Sequence, residues 1–242
     1  MFIHYRTQGF ILKKKDVGEA DRLFTFFTKD FGKLELLARA ERKITSKLRS
    51  GLELFYLSEV EFIQGKAYKT LTDAILIESF GNLRKSLKSV TIASQIAEVS
   101  NSLLKGQEPD EKLWQLFGET FEKLNDIKIK TETRNLVYHY FLWNFLSLLG
   151  YQIEFYRCAS CDKKLIPEKI YFSFKKGGLI CNNCSKAEKL ENPISLNAIK
   201  LIRILLKKDL SALPRLKVEK EDLDSLKEIS NYYFSEILRE TQ

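Results

Sequence analysis

The chemistry legible in this chain begins with four cysteines. Cys158-Ala-Ser-Cys161 and Cys181-Asn-Asn-Cys184 are two C-x2-C knuckles with 19 residues between them. Each knuckle offers two sulfurs from one tight turn, and a tetrahedral zinc ion takes four thiolates at about 2.3 Å. Residues 165–180 can fold as a hairpin that brings the knuckles onto one ion. Disulfides and unpaired core cysteines are the alternatives. The opening residues show no apolar secretion segment, which weighs against disulfides. A site of four thiolates leaves no position for a reacting water, so the expected cofactor is one structural Zn2+.

Other reaction chemistry is thinly supplied. The two histidines, His4 and His139, stand in no H-x-E pattern. They read as a strand residue near the terminus and a helix residue beside the core. Gly32-Lys33 lacks the upstream glycine and the following Ser or Thr of a phosphate-binding loop, and no G-x-G-x-x-G or G-x-S-x-G occurs. The expectation is a protein that is not an enzyme. A zinc enzyme stays as a rival class, disfavoured by the closed thiolate set.

A second kind of chemistry is charge. Forty Lys and Arg against 32 Asp and Glu leave a net +8, which favours a polyanionic partner. Residues 33–49 alone hold six basic side chains, Lys33, Arg39, Arg42, Lys43, Lys47 and Arg49, against two acidic ones. Between two strands, such a run is a displayed loop able to track a phosphate backbone. It is the expected DNA-binding element, and a merely solvated charged loop is the bland alternative. Asp16, Glu19 and Asp21 read as salt-bridge partners of Lys13–Lys15 and Arg22, in preference to a divalent-metal site.

Elements must position these groups. From Ile3 to about Ile77, apolar and β-branched residues run at period two, with turn signals at 29–32 and 64–66. Strands are expected at 9–12, 23–28, 34–38, 52–63 and 68–77. Five short strands without a proline suggest a closed antiparallel barrel. From Leu83 to Leu104 the period changes to three and four, the sign of an amphipathic helix. Asp110 is a candidate N-cap for a second helix, Thr131 opens a third, and Gly150 is placed to end it. Ser195 is a candidate N-cap for a helix to Lys208, and a last helix is expected from about Glu219 to Leu238.

The expected fold is therefore α+β: a five-stranded antiparallel barrel over residues 1–80, then a helical domain in two parts, 81–150 and 193–242. A four-cysteine module is inserted at 151–192. The chain has 242 residues, 44% of them hydrophobic, enough for more than one core. No run approaches the ~18 apolar residues of a membrane span, so the expected location is cytoplasmic.

Read together, these blocks resemble the bacterial recombination-repair family RecO. The resemblance is carried by Gly9-Phe-Ile-Leu, Asp16-x-Gly18-Glu19-Ala20-Asp21-Arg22 and Thr28-Lys-Asp-Phe-Gly32. Leu148-Leu149-Gly150-Tyr151 and Tyr171-Phe-Ser-Phe-x-x-Gly177-Gly178-Leu-x-Cys181 continue it. It is colinear over roughly residues 7–240. Asp162 and Ala40 stand where the family often has glycine. The resemblance implies an OB-fold, a helical domain and an inserted zinc module. It also implies binding of single- and double-stranded DNA, annealing of complementary strands, and loading of the RecA recombinase onto strands covered by single-strand-binding protein. Implied partners are RecR and the acidic tail of that single-strand-binding protein. For such a tail, Arg134, Lys200, Arg203 and Lys207 are the expected cations on the helices. An RNA- or ribosome-associated adaptor built from the same parts is the alternative function.

Overall fold

A computed structural model describes residues 3–65, 68–190, 193–207 and 210–241. Lys66 of the expected 64–66 turn, Lys208 at the expected end of a helix, and the domain bounds Asn192 and Gln242 lie outside the described residues. The chain forms two compact units, Met1–Ile129 and Lys130–Gln242.

The first unit is built on five strands: β1 (His4–Val17), β2 (Asp21–Thr28), β3 (Gly32–Ala38), β4 (Leu57–Gln64) and β5 (Lys69–Glu78). They close into a barrel in the order β1-β2-β3-β5-β4, with β4 returning to β1. The expected barrel was purely antiparallel. The closing pair is instead parallel, Leu36 against Lys69 and Leu37 against Thr70. An odd number of strands cannot alternate direction around a ring, so one neighbouring pair must run the same way.

The fourth strand also starts later than the pattern implies. Residues 52–56 turn instead of continuing the ladder, with Tyr56 N donating to Glu53 O at 3.1 Å and Ile11 N donating to Tyr56 O at 3.0 Å. There Phe55, at φ 67°, donates its N–H to the Ile11 carbonyl at 2.9 Å.

Strand β2 is apolar on both faces because it buries both. Phe24 and Phe26 join Ile11, Leu34, Leu36, Val60 and Phe62 in the barrel interior. Phe27 points the other way, with Phe10, toward Phe117. Helix α1 (Gly81–Arg84) and helix α2 (Leu87–Leu103) divide the single helix expected from 83 to 104, because the Ser86 side chain accepts from the Ser89 N–H and starts a new one. Helix α3 (Glu111–Asn125) begins at Asp110, as the capping signal requires, with one carboxylate oxygen accepting from Lys112 N at 2.8 Å and Leu113 N at 3.0 Å. Trp114, Phe117 and Phe121 share one face of it. Their ring centroids lie 4.9 Å from Phe10, 4.7 Å from Phe27 and 5.6 Å from Phe80 respectively. Fully buried rings such as Phe117 and Phe121 each contribute roughly 2–3 kcal/mol of transfer free energy, so α3 and the outer face of β1 and β2 form a core beside the barrel interior. Gly32 sits at φ 59° where a Cβ would come within 2.4 Å of the Glu108 carbonyl oxygen, so the turn into β3 admits no side chain.

The second unit opens with α4 (Thr131–Leu148), ended by Gly150 at φ 92° with its N–H on the Ser147 carbonyl. Strands β6 (Ile170–Ser173) and β7 (Gly178–Cys181) form a hairpin. Helix α5 (Asn182–Ala187) follows, then strand β8 (Pro193–Ile194), which pairs with β6. Helix α6 (Leu196–Leu205), capped by Ser195, and helix α7 (Lys220–Thr241) complete the unit, with a 3₁₀ turn at Leu210–Arg215 between them. Trp143 of α4 stacks on Tyr233 of α7 at 5.3 Å. Among the described residues no helix is long and apolar enough to cross a membrane.

Candidate functional site

The β6–β7 hairpin does what the cysteine spacing demands. It carries Cys181 at the end of β7, and the first turn of α5 carries Cys184. The other knuckle is a turn in which Asp162, at φ 57°, donates its N–H to the Cys158 carbonyl at 2.8 Å, and Cys158 N donates to Lys163 O at 2.9 Å. Asp162 adopts the left-handed conformation that a glycine would adopt freely. The Arg157 guanidinium pairs with its carboxylate at 2.9 Å. The knuckle is held to the hairpin by Ala159 N donating to Leu179 O at 2.8 Å.

All four sulfurs lie within 4.8 Å of one another, with Cys161 and Cys181 3.9 Å apart. A tetrahedral ion with bonds of about 2.3 Å needs sulfurs about 3.8 Å apart, whereas a disulfide needs about 2.05 Å. The four cysteines are free thiols. Burial alone would raise the Cys158 thiol, yet the N–H groups of Cys181, Cys161 and Ser160 outweigh it and bring the pKa down. Hydrogen bonds shared with Cys181 and Cys161 push the Cys184 thiol up. Neighbouring thiols cannot all ionise unless a cation offsets the accumulating charge. The donor set therefore fits a soft, tetrahedral metal.

The basic run occupies the connection between β3 and β4, ending in a 3₁₀ turn at Lys47–Gly51. Arg39, Arg42, Lys43, Lys47 and Arg49 are all exposed. Its root is built, not loose. Asp21 accepts from the Ala40 N–H at 2.7 Å, and Arg42 N donates to Ala20 O at 3.0 Å. Glu41 is 1% exposed and takes Arg22 at 3.1 Å, while Arg22 also holds Asp16 at 2.7 Å. The hydrogen bond from Arg22 keeps the Asp16 carboxyl below its usual range. Asp16 and Asp21 of the acidic group thus anchor the basic loop. Arg22 is a partner as expected, but the rest of the expected pairing is redistributed: Lys14 reaches Glu53 at 2.8 Å, and Asp16 takes Arg42 at 3.6 Å. Lys13 and Lys15, exposed at period two on β1, extend the positive surface of the hairpin that anchors the loop.

Lys33 is used differently. Its ammonium donates to the Asn101 carbonyl at 2.6 Å and the Leu104 carbonyl at 3.2 Å, at the C-terminal end of α2. Burial lowers its pKa. A cation there satisfies carbonyls the helix leaves open and complements its dipole.

Of the four helix cations, Arg203 and Lys207 come together. They line a cleft of about 250 Å3 with Trp143, Tyr151, Phe155 and Tyr156. Arg203 donates to the Phe155 carbonyl from two nitrogens, and its guanidinium lies 4.6 Å from the Tyr156 ring centre. Arg134 and Lys200 do not line this cleft; the Arg134 Nε is buried without a hydrogen-bond partner. Neither histidine joins a metal cluster among the described residues. His4 faces Glu61 at 2.7 Å on the surface, and His139 is buried against Ser230 at 3.0 Å.

Residues 1–80 match the family model described as Recombination protein O N terminal, and residues 84–241 match Recombination protein O C terminal. The chain belongs to the RecO family. A DNA repair protein RecO of Dehalococcoides mccartyi is 35% identical over 222 residues, covering 92% of this chain and 86% of the relative. One of Acetivibrio thermocellus is 31% identical, covering 97% and 92%. RecO membership places the chain in DNA repair and recombination, and agrees with the closed barrel, helices and clustered cysteines.

Proposed function

We propose that this chain is a non-enzymatic recombination mediator: a DNA-binding protein that anneals complementary strands and, with RecR, assists RecA loading onto strands covered by single-strand-binding protein. The observation that carries this reading is the basic loop, five exposed cations on a connection rooted by buried ionic and hydrogen bonds to a closed barrel. Annealing needs cations that screen repulsion between strands and a surface that leaves bases free to pair. A fixed cationic loop supplies the first without enclosing the strand.

Zinc is the metal assigned to the thiolates, held by Cys158, Cys161, Cys181 and Cys184. It supplies a covalent-like cross-link between two turns and no chemistry at a substrate. The cleft lined by Arg203 and Lys207 suits the acidic, apolar-ended tail of single-strand-binding protein, with a cation for the carboxylates and aromatic walls for the apolar end. Titrating that tail peptide at low salt is expected to show binding that Lys207→Glu weakens. Equal binding by the two proteins removes the cleft from the proposal.

The DNA reading is tested by salt. Single-strand binding should fall steeply as salt rises, because released counterions dominate. Replacing Arg39, Arg42, Lys43, Lys47 and Arg49 together by alanine is expected to reduce the log–log slope by up to about 3.5, at roughly 0.7 per phosphate contact. Lys33→Met serves as the control. Its ammonium is committed to the end of α2, so the slope should hold while folding stability drops by about 1 kcal/mol. A fivefold variant that keeps the wild-type slope and still anneals would mean that the DNA site lies elsewhere.

A further inference from the structure

The loop that carries the five cations also carries Ile44, and its placement is unlike that of its apolar neighbours. Leu48 packs against the barrel interior and Leu52 lies fully inside it. Ile44 is 92% exposed, more than any other large hydrophobic residue among those described. The loop does not wave it there at random. Turns closed by Lys43 N on Ala40 O, at 3.1 Å, and Ser46 N on Lys43 O, at 3.0 Å, bracket the residue. The root is fixed by the Asp21, Arg22 and Glu41 bonds on one side. On the other, Gly51 is held by the Ser58 hydroxyl at 2.7 Å and lies too close to the Ala74 carbonyl to carry a side chain. A branched aliphatic side chain is thus presented to water at the tip of a fixed loop, with Arg42 and Lys43 on one flank and Lys47 and Arg49 on the other.

Exposing it forgoes the transfer free energy a buried isoleucine would contribute. Its surroundings also define what could cover it. The flanking cations select a polyanion, and an apolar tip needs an apolar surface of that same ligand. A single-stranded nucleic acid has both, phosphates outside and unstacked base faces between them. We infer that Ile44 is a base-contacting wedge, which packs on or between bases of a single strand whose phosphates the surrounding cations hold. This inference rests on the proposal that the loop binds DNA, and it adds the element that would keep bases apart and available for pairing. The contact is to a base face, so it carries no sequence preference.

Phosphate and base contacts can be separated in the full-length protein with single-stranded oligonucleotides. Ile44→Ser is expected to weaken binding to an ordinary strand about tenfold without changing the salt slope. The same substitution should make no difference on a strand of equal length with abasic sites across the contacted positions. A 2-aminopurine reporter should brighten on binding to wild type, as its neighbours unstack, and much less with Ile44→Ser. Ile44→Leu should retain the wild-type response. The inference is overturned if Ile44→Ser binds and brightens the ordinary strand like wild type, or if its loss is the same on ordinary and abasic strands. A tip that served a protein partner would give the first of these results. Failure of the underlying reading looks different: there the fivefold cation variant keeps its salt slope. A reduced slope in that variant, with no effect of Ile44→Ser, removes the wedge and leaves the loop.

Discussion

Cys181→Ser is expected to strip the metal from the protein and open residues 155–190 to protease, while the barrel unit keeps its fold. The buried core of the module is small, Cys158, Tyr171 and Ile180, with Leu165 and Leu190 only partly covered. So little apolar area cannot offset the conformational entropy of the segment. Binding to a structural zinc site contributes about 10–16 kcal/mol in isolated fingers, and that free energy is folding free energy. Cys181 ends β7, opposite Ile170 of β6, and its N–H points at the Cys158 sulfur at 3.4 Å. Cys181→Ser keeps that backbone N–H, so the substitution removes the coordination and leaves only single hydrogen bonds between hairpin and knuckle. Metal analysis and timed proteolysis of freshly purified, reduced protein check this. Full metal content, or wild-type protease resistance in the variant, would show that the module stands without its fourth thiolate.

A second large effect is expected from acid. His139 is buried on α4, and burial, with a smaller contribution from Lys227, pulls its pKa from 6.5 down to about 4. Its tautomer follows from its partners. The Ser230 hydroxyl donates to the Leu226 carbonyl at 2.7 Å, so it can only accept from Trp143 Nε1 at 3.1 Å and from His139 Nδ1 at 3.0 Å. His139 is therefore neutral with the proton on Nδ1. Between pH 6.5 and about 4 the unfolded chain binds a proton at this residue and the folded chain does not. Stability then rises with pH across that window. The stabilisation is complete above 6.5 and is lost as pH falls toward 4, by roughly 3 kcal/mol in total. His139→Asn keeps a donor near the Nδ1 position and cannot titrate. Urea denaturation of the two proteins at several pH values should show a slope in this window for wild type that the variant lacks. Other acid-sensitive groups, the thiolates included, are common to both and cancel in the difference. Parallel pH profiles for the two proteins would refute this account of His139.

The features readable from the amino-acid order were short-range ones. Two C-x2-C knuckles and the turn residues between them meet through a four-residue hairpin ladder, so spacing alone was enough to bring the thiols together. Asp110, Ser195 and Gly150 act on N–H or C=O groups a few residues away, and each ended or began its helix as its type requires. The exposed basic loop followed from a cluster of cations lying between two runs of period-two residues.

Long-range pairings decided the rest. Local alternation does not specify which strand closes a barrel, and the parallel β3–β5 contact comes only from the odd strand count. Lys33 and Lys43 carry the same charge in the sequence, yet one ends on α2 carbonyls 68 and 71 residues away and the other is exposed on the loop. The His139–Ser230 bond spans 91 residues, and nothing near either residue announces the other. The sequence by itself determined the local parts of this protein: knuckles, caps, strand faces and the place of the positive charge. Only the tertiary structure decided which cations hold the fold and which remain free for a ligand. A side chain's availability depends on partners brought to it by packing, and packing joins residues that the chain keeps far apart.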